Sequence, residues 1–367
     1  MIACLQRTRA GTQHAAMSPP NRRSKSQRAS GRAGIKRPTL KEVARAAGVS
    51  LASASYAVNG TGSLGEATRS HVLRIAEKLG YRQNLNARAI RTGRTGALGL
   101  VLPDLNNPFF PALAQSVIQT ARNFSYSVFV TDTEGSEQLE AQSLRLLVEH
   151  GVDGIIWFPI GDKNTAGTLL DDVPTVVIDR TLPGLESIQA DYASGGRLAA
   201  EYLVNAGHRS IGVISGPTDI QSMRDRCNGA VDFIRRHAEL AFQVGNGFSI
   251  DLEPKVKEAI KSRSATAVFI GADLIALGVM SYAQSIGIAV PEQLSIVGFD
   301  DIPWAQYSRP ALTTVEIPIG DMATEAVEAV LRKSKGQTES RRKIVFDMTL
   351  IERASTTRRR ASNPRRA

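Results

Sequence analysis

Aspartates recur in this sequence at one kind of place, at or just beyond the end of a short apolar run. Asp104 follows Ala97 to Leu102, Asp132 follows Ser127 to Thr131, Asp179 follows Thr175 to Ile178, Asp273 follows Ala267 to Ile270, and Asp300 follows Leu294 to Phe299. If the runs are parallel strands, these carboxylates sit where open sheets place their ligand crevice, beyond the carboxyl ends of the strands. There they would take hydrogen bonds from a hydroxyl-rich ligand. Each could instead cap the helix that follows it, and the recurrence in both halves of the chain is what favours a shared site. A second pattern lies nearer the N-terminus, in Val49-Ser-Leu-Ala-Ser-Ala-Ser-Tyr-Ala-Val-Asn59. Small and hydroxyl side chains let a helix approach the floor of a DNA major groove closely, where Ser, Tyr and apolar groups meet base edges and thymine methyls. The same composition would suit a tightly packed core helix. Ser53, Ser55 and Asn59 have no obvious partner within the helix, which favours DNA.

Other chemistries find little support. The five histidines, His14, His71, His150, His208 and His237, are scattered, and no nucleophile-base pair, supported carboxylate pair or glycine-rich phosphate loop is visible. The two cysteines, Cys4 and Cys227, give neither a disulfide framework nor metal-ligand spacing. The expectation is a protein that is not an enzyme and has no metal and no cofactor, with Cys227 a packed, inert thiol.

Charge divides the 367 residues unevenly. Lys and Arg total 45 against 35 Asp and Glu, a net +10. The first 37 residues hold nine bases and no acid, and Arg353 to Ala367 hold six arginines and no acid. Pro38 to Thr95 has a balance of +6, whereas Gly96 to Glu352 has a balance of −11. Both ends are expected to be disordered basic extensions, at 1–37 and 353–367, because neither shows a hydrophobic period. A basic front end on an acidic body points to nucleic acid as a partner of the front end alone. No run approaches the length of a membrane span, and the N-terminus lacks the apolar centre of a secretory signal. A cytoplasmic, nucleoid-associated protein is expected.

Elements that would position these residues can be read from local pattern. Thr39-Leu-Lys-Glu42 has the form of a capping box, Leu40, Val43, Ala44 and Ala47 share a helical face, and Gly48 stops the helix. Ser50 caps a second helix, Leu51 to Val58, ending at Asn59-Gly60, and a third, Glu66 to Leu79, carries Val72, Ile75, Ala76 and Leu79 at helical spacing. Together they describe a helix-turn-helix domain over 38–82. After Gly96, apolar runs that also include Gly154 to Phe158 and Ile211 to Ile214 alternate with amphipathic stretches, as in doubly wound α/β lobes. Their number calls for two lobes.

The ordered motifs Thr39-Leu-Lys-Glu-Val-Ala, Ala47-Gly-Val-Ser50, Leu79-Gly-Tyr-Arg82, Pro103-Asp-Leu-Asn-Asn-Pro-Phe-Phe110, Ile178-Asp-Arg180, Gly298-Phe-Asp-Asp-Ile302 and Pro310-Ala-Leu-Thr-Thr-Val315 resemble the lactose/galactose repressor (LacI/GalR) family of transcription regulators. The resemblance spans Thr39 to about Glu352. It implies an N-terminal all-α helix-turn-helix domain, a hinge helix and linker over 83–95, and a two-lobed α/β domain of the periplasmic-binding-protein type over 96–352. It implies that Leu51, Ala52 and Tyr56 face bases, while Thr39, Ser50, Ser53, Ser55 and Asn59 hold phosphates or the groove wall, with Leu40 beside them. Ala54-Ser55-Tyr56 resembles the fructose-type branch of the family, so the half-site is expected to differ from the lactose type. Gly65 stands where the family has a serine cap.

By the same resemblance Asn84, Ala87 and Ile90 belong to a hinge helix that forms on DNA, with Ile90 as the minor-groove wedge; Ile90 packing only within its own domain is the alternative. The effector site falls on Phe109, Phe110, Ser194, Ser222, Arg226, Asp273, Asp300 and Trp304, with Phe109 and Phe110 alternatively core residues. Ala272 and Ile317 replace polar residues frequent in the family. The implied function is a sequence-specific repressor whose affinity for operator DNA is controlled by a sugar or sugar derivative. The implied partners are palindromic double-stranded DNA, the effector and a second copy in a homodimer.

Overall fold

The computed structural model describes residues 38–82, 89, 93–337 and 342–359. It divides into an N-terminal unit ending at Asn84 and a second unit beginning at Leu85, and each is described by itself.

The N-terminal unit is three helices, α1 (Leu40–Ala46), α2 (Leu51–Asn59) and α3 (Glu66–Lys78). The expected capping box is formed: the Thr39 side chain accepts from the Glu42 amide, and the Glu42 carboxylate accepts from the Thr39 amide at 2.6 Å. Ser50 caps α2 by accepting from the Ser53 amide at 3.0 Å. Gly60, at φ +68°, ends α2 in the left-handed conformation that glycine adopts without strain. Gly65 gives α3 no side-chain cap. Val43, Ala44, Ala54, Ala57, Val72 and Ala76 make the core of this unit. Two alanines of α2 sit in that core, so small side chains let α2 approach α1 and α3 closely.

The second unit holds two six-stranded sheets. In the first lobe the order is β11-β5-β4-β3-β1-β2, from β1 (Ala97–Leu102), β2 (Ser127–Asp132), β3 (Gly154–Trp157), β4 (Thr175–Ile178), β5 (Glu186–Ala190) and β11 (Lys343–Phe346), all parallel. In the second the order is β12-β10-β9-β8-β6-β7, from β6 (Ser210–Ser215), β7 (Glu239–Gly245), β8 (Ala267–Ile270), β9 (Ser295–Asp300), β10 (Thr313–Glu316) and β12 (Thr349–Ile351). Only β12 runs antiparallel there. Central strands such as β1, β3, β4 and β8 are buried along their whole length, as expected when helices cover both faces of a parallel sheet.

The covering helices are α4 (Phe109–Asn123), α5 (Glu137–Glu149), α6 (Tyr192–Asn205), α7 (Gln221–His237), α8 (Pro254–Lys261), α9 (Asp273–Ser285) and α10 (Ile319–Ser334). The chain changes lobe three times. It leaves β5 for α6, which packs on α7 and β10; it leaves β10 for α10, which packs on α4 and β4; and it passes from β11 to β12. Helices α6 and α7 meet at backbone distance. A Cβ on Gly196 would lie 1.7 Å from the Arg226 carbonyl oxygen, and one on Gly229 would lie 2.0 Å from that of Ala193.

One expectation is corrected here. The segment after Glu352 is not a disordered tail where it is described, through Arg359. The Ser355 hydroxyl donates to the Ile296 carbonyl at 2.6 Å and accepts from the Thr313 amide at 2.8 Å, and Ser355 is fully buried. Arg353 pairs with Asp301 at 2.7 Å, and the Arg359 amide donates to the Ala206 carbonyl. Polar side chains and backbone amides hold this segment, which a search for hydrophobic period passes over. The extension before Pro38 and the hinge residues Asn84, Ala87 and Ile90 lie outside the described residues.

Candidate ligand cleft and nucleic-acid interface

The carboxyl ends of strands from both lobes open onto one cavity of about 550 Å³. The loops after β1, β2, β3 and β4 contribute Asp104, Asp132, Phe158, Asp179 and Arg180, and the second lobe contributes Asp219, Ser222, Arg226, Phe248, Asp300 and Ile317. Four of the five strand-end aspartates thus share a site. The fifth, Asp273, does not line it. It is fully buried at the start of α9, where it accepts from the Thr314 hydroxyl at 2.7 Å and the Ile302 amide at 3.0 Å. Capping of the following helix by side chain is likewise absent at Asp273, whose helix has no side-chain cap. Asp104 and Asp132 accept from nearby loop amides, those of Asn106 and of Leu105 and Glu134, and so shape the turns that present them.

One wall is aromatic. Phe109, Phe110 and Phe158 meet edge to face, with centroids 5.2, 6.1 and 5.0 Å apart. Phe109 is buried and belongs to the core, while Phe110 is half-buried, and both line the cavity. Such rings suit the C–H face of a sugar or a planar base.

The opposite wall is built on Arg226. Its guanidinium lies over the Phe299 ring at 4.1 Å and the Tyr192 ring at 4.9 Å, donates to the Gly271 carbonyl at 2.8 Å, and pairs with Asp300 at 2.9 Å. Asp300 adopts φ +117° and Asp179 φ +74°, strained backbone for side chains with a Cβ. Burial pushes the Asp300 carboxyl up to about 6, against the opposing pull of Arg226. Burial also holds Asp273 well above the usual carboxylate range, with the Asp300 charge adding to it. Tyr192 is pushed up to about 12 and Cys227 up to about 11 by burial, so neither titrates at neutral pH.

A polar bridge joins the lobes beside the cavity. Ser222, on α7, donates to Asp179 at 2.9 Å and accepts from Arg180 at 3.1 Å. Arg180 also pairs with Asp179 itself and with Asp162 at 3.4 Å, and Arg224 reaches Asp162 at 2.9 Å.

Of the eight residues expected at the effector site, Phe109, Phe110, Ser222, Arg226 and Asp300 come together here. Asp273, buried behind it, does not, and neither do Ser194 and Trp304. Ser194 donates its amide to Asp191 at the start of α6 and lines a separate surface hollow with Arg197, Asp232 and Arg236. Trp304 is 52% exposed, outside the cavity lining. Both lie close in sequence to residues of the cleft region, but the helix start at Asp191 and the turn after Ile302 carry them away. Sequence reasoning missed Phe158 and Arg180 as site residues, and marked Asp179 only as one of the strand-end carboxylates. Arg180 belongs to the Ile178-Asp-Arg180 motif, and that is the signal that points to it.

On α2 of the N-terminal unit, Leu51, Ala52 and Tyr56 are exposed while Ala54 and Ala57 are buried. The three side chains expected to face bases therefore share the outer face of the helix. Leu40 is half-buried against the core. The expectation that Ser53, Ser55 and Asn59 lack partners within the helix is corrected. Ser53 shares a hydrogen bond with Ser50 at 2.9 Å, and Asn59 donates to the Ser55 carbonyl at 2.6 Å and hydroxyl at 3.0 Å. Hydroxyl and amide side chains three or four residues apart bond to one another along a helix and at its cap, so their polarity is no argument for DNA. Thr39 and Ser50 are engaged as helix caps. Among the described residues, no group of side chains could hold a metal ion and no helix is long and apolar enough to cross a membrane.

Comparison with known proteins places both units. Residues 39–84 match the model of bacterial regulatory proteins of the lacI family, and residues 200–356 match that of periplasmic binding protein-like domains. The chain is 34% identical to the ribose operon repressor of Bacillus subtilis over 87% of this chain and 98% of that protein. It is 33% identical to the transcriptional regulator GalR of Escherichia coli over 86% of this chain and 95% of that one. A periplasmic binding protein/LacI transcriptional regulator from Alkaliphilus metalliredigens, solved with D-xylulofuranose, aligns at a TM-score of 0.65 and 27% identity, covering 71% of this chain and 99% of that one. The lac repressor dimer bound to operator aligns at a TM-score of 0.77 and 23% identity over 88% of this chain and 100% of that one, a likeness of fold. The chain belongs to the LacI family of bacterial transcription regulators.

Proposed function

We propose that this protein is a sequence-specific repressor whose affinity for a palindromic operator is set by a carbohydrate bound in the cleft between its lobes. The observation that carries the reading is the presence in one chain of two built sites. One is the outward face of α2 with Leu51, Ala52 and Tyr56, and the other is the cavity in which an aromatic wall opposes the Arg226–Asp300 pair. Rings for the C–H face of a ligand and paired donors and acceptors for its hydroxyls are what sugar recognition requires. The ribose repressor, GalR and the xylulofuranose complex support both the regulator and the ligand class.

The protein acts as a homodimer, because two copies of a single reading helix match the two halves of a palindrome; the dimeric lac repressor on its operator has the same fold. It works in the cytoplasm on nucleoid DNA and is not an enzyme. Tyr56, with its ring exposed on α2, gives the half-site a preference of the fructose-repressor type. By the family resemblance, Asn84, Ala87 and Ile90 are assigned to contact with the minor groove. Helix caps Thr39 and Ser50 present their helix starts to phosphates.

The test is selection of genomic DNA fragments by the purified full-length chain, followed by sequencing. Recovery of an inverted repeat near a carbohydrate gene cluster is expected, and enrichment without any palindrome would contradict the reading.

A further inference from the structure

The charges around the cavity define what kind of carbohydrate it takes. Asp104, Asp132, Glu134, Asp179, Asp219 and Asp300 line it, against only Arg180 and Arg226. Both arginines are already matched. Arg226 is held by Asp300 and the Gly271 carbonyl, and Arg180 by Asp179 and Asp162. Arg224, next to Met223 of the lining, is taken up by the other oxygen of Asp162. Asp104, Asp132, Glu134 and Asp219 have no ion-pair partner among the described residues.

We infer that the effector is an uncharged sugar and that the cleft rejects its phosphorylated forms. This rests on the carbohydrate-regulator reading above and narrows it. Two physical arguments agree. A phosphate carries up to two negative charges into a site with four carboxylates more than guanidinium groups, and no cation is left over to receive it. Hydrogen bonding points the same way. A sugar hydroxyl donates to one group and accepts from another, so it can satisfy the carboxylate and the guanidinium of the Arg226–Asp300 pair together. A phosphate monoester largely lacks donors at neutral pH and would set acceptor against acceptor along the carboxylates. The rim carboxylates are also half-buried or exposed, so their field acts through solvent and adds to the general acidity of the body without demanding a cationic ligand.

The experiment is a titration of the full-length protein, followed by thermal shift and calorimetry, with matched pairs: D-ribose and ribose 5-phosphate, D-glucose and glucose 6-phosphate, D-galactose and galactose 1-phosphate, D-fructose and fructose 1-phosphate. At least one neutral sugar is expected to bind, at least tenfold tighter than its phosphate. The margin is expected to shrink when salt is raised from 20 to 500 mM, as screening shortens the reach of the rim charges. Replacing the exposed Asp219 with lysine, D219K, should narrow the margin again at low salt. Equal or tighter binding of a phosphate, or a margin unmoved by both salt and D219K, overturns the inference, and so does binding by no member of the panel. Sequence-selective DNA binding by the same preparation separates these failures from failure of the regulator reading, which would remove it.

Discussion

Arg226 and Asp300 come from α7 and the end of β9, 74 residues apart, and meet at 2.9 Å in the wall of the cleft, with the guanidinium stacked on Phe299. The pair organises the site because each member makes the other's burial tolerable. An isolated buried charge costs several kcal/mol, and the lift of Asp300 to about 6 shows how far burial outweighs the arginine.

That lift has a signed consequence. The folded protein holds the Asp300 proton more tightly than the unfolded chain, whose ordinary value is 3.8. Between about pH 4 and pH 6 the folded state therefore binds more protons, and stability falls as pH rises through this window. The contribution is full below pH 4 and gone above 6. In Asp300→Asn it should be missing, along with the part of the Asp273 lift that the Asp300 charge supplies, so the stability difference between wild type and variant should change with pH across the window, read by urea unfolding at successive pH values. A difference independent of pH would contradict this assignment.

Helix α7 carries Ser222 and Arg226 and is set against α6 by Gly196. Gly196→Ala places a methyl against the Arg226 carbonyl, where no side chain can yield. Destabilisation of about 2 kcal/mol or more is expected from overpacking, together with weakened effector binding in the fraction that folds. Thermal unfolding and ligand titration check both. Gly320→Ala, with open space around its Cβ, serves as the control.

Tyr56 stands on the outer face of α2 with its ring over Gly62. Tyr56→Ala is expected to cost about 1–3 kcal/mol of operator discrimination while leaving nonspecific binding and its salt dependence in place. Competition with a scrambled duplex measures it. Uniform weakening on all DNA would assign Tyr56 to the backbone instead.

Ser355 fastens the C-terminal segment to β9 and β10 through two hydrogen bonds. Ser355→Ala leaves the Thr313 amide and the Ile296 carbonyl without that partner, and a loss of about 1–3 kcal/mol is expected in unfolding of the whole chain. No loss would mean the segment is dispensable.

The same cases show what a sequence discloses. Strands buried on both faces are continuous apolar runs, so β1, β4 and β8 were legible to the residue. Strand β5 reads Glu-Ser-Ile-Gln-Ala and yet is wholly buried, because Glu186 finds Arg332 and Lys333 on α10. Strands β11 and β12 are short and half-exposed, so their pairing comes from the return of the chain across the lobes rather than from local pattern. In the N-terminal unit, caps and alanine spacing are local chemistry and were read directly. The hydroxyls of α2 misled because a side-chain bond three or four residues away looks, in sequence, like a free polar group. At the cleft, Asp300 was legible as a strand-end carboxylate, and Arg226 only through its position in the family resemblance. The bridge from Ser222 to Asp179 and Arg180 was not, because it exists only once two lobes face each other.

The central claim is that a ligand in the cleft governs DNA affinity, and one measurement tests it most directly. Full-length protein and its selected operator are titrated by fluorescence anisotropy with and without the neutral sugar that binds the cleft, in wild type and in Arg226→Met. The sugar should change wild-type operator affinity by tenfold or more, about 1.4 kcal/mol of coupling, and should leave the operator affinity of folded Arg226→Met unchanged. An operator affinity indifferent to the bound sugar in the wild type, or an equal response in Arg226→Met, would contradict it.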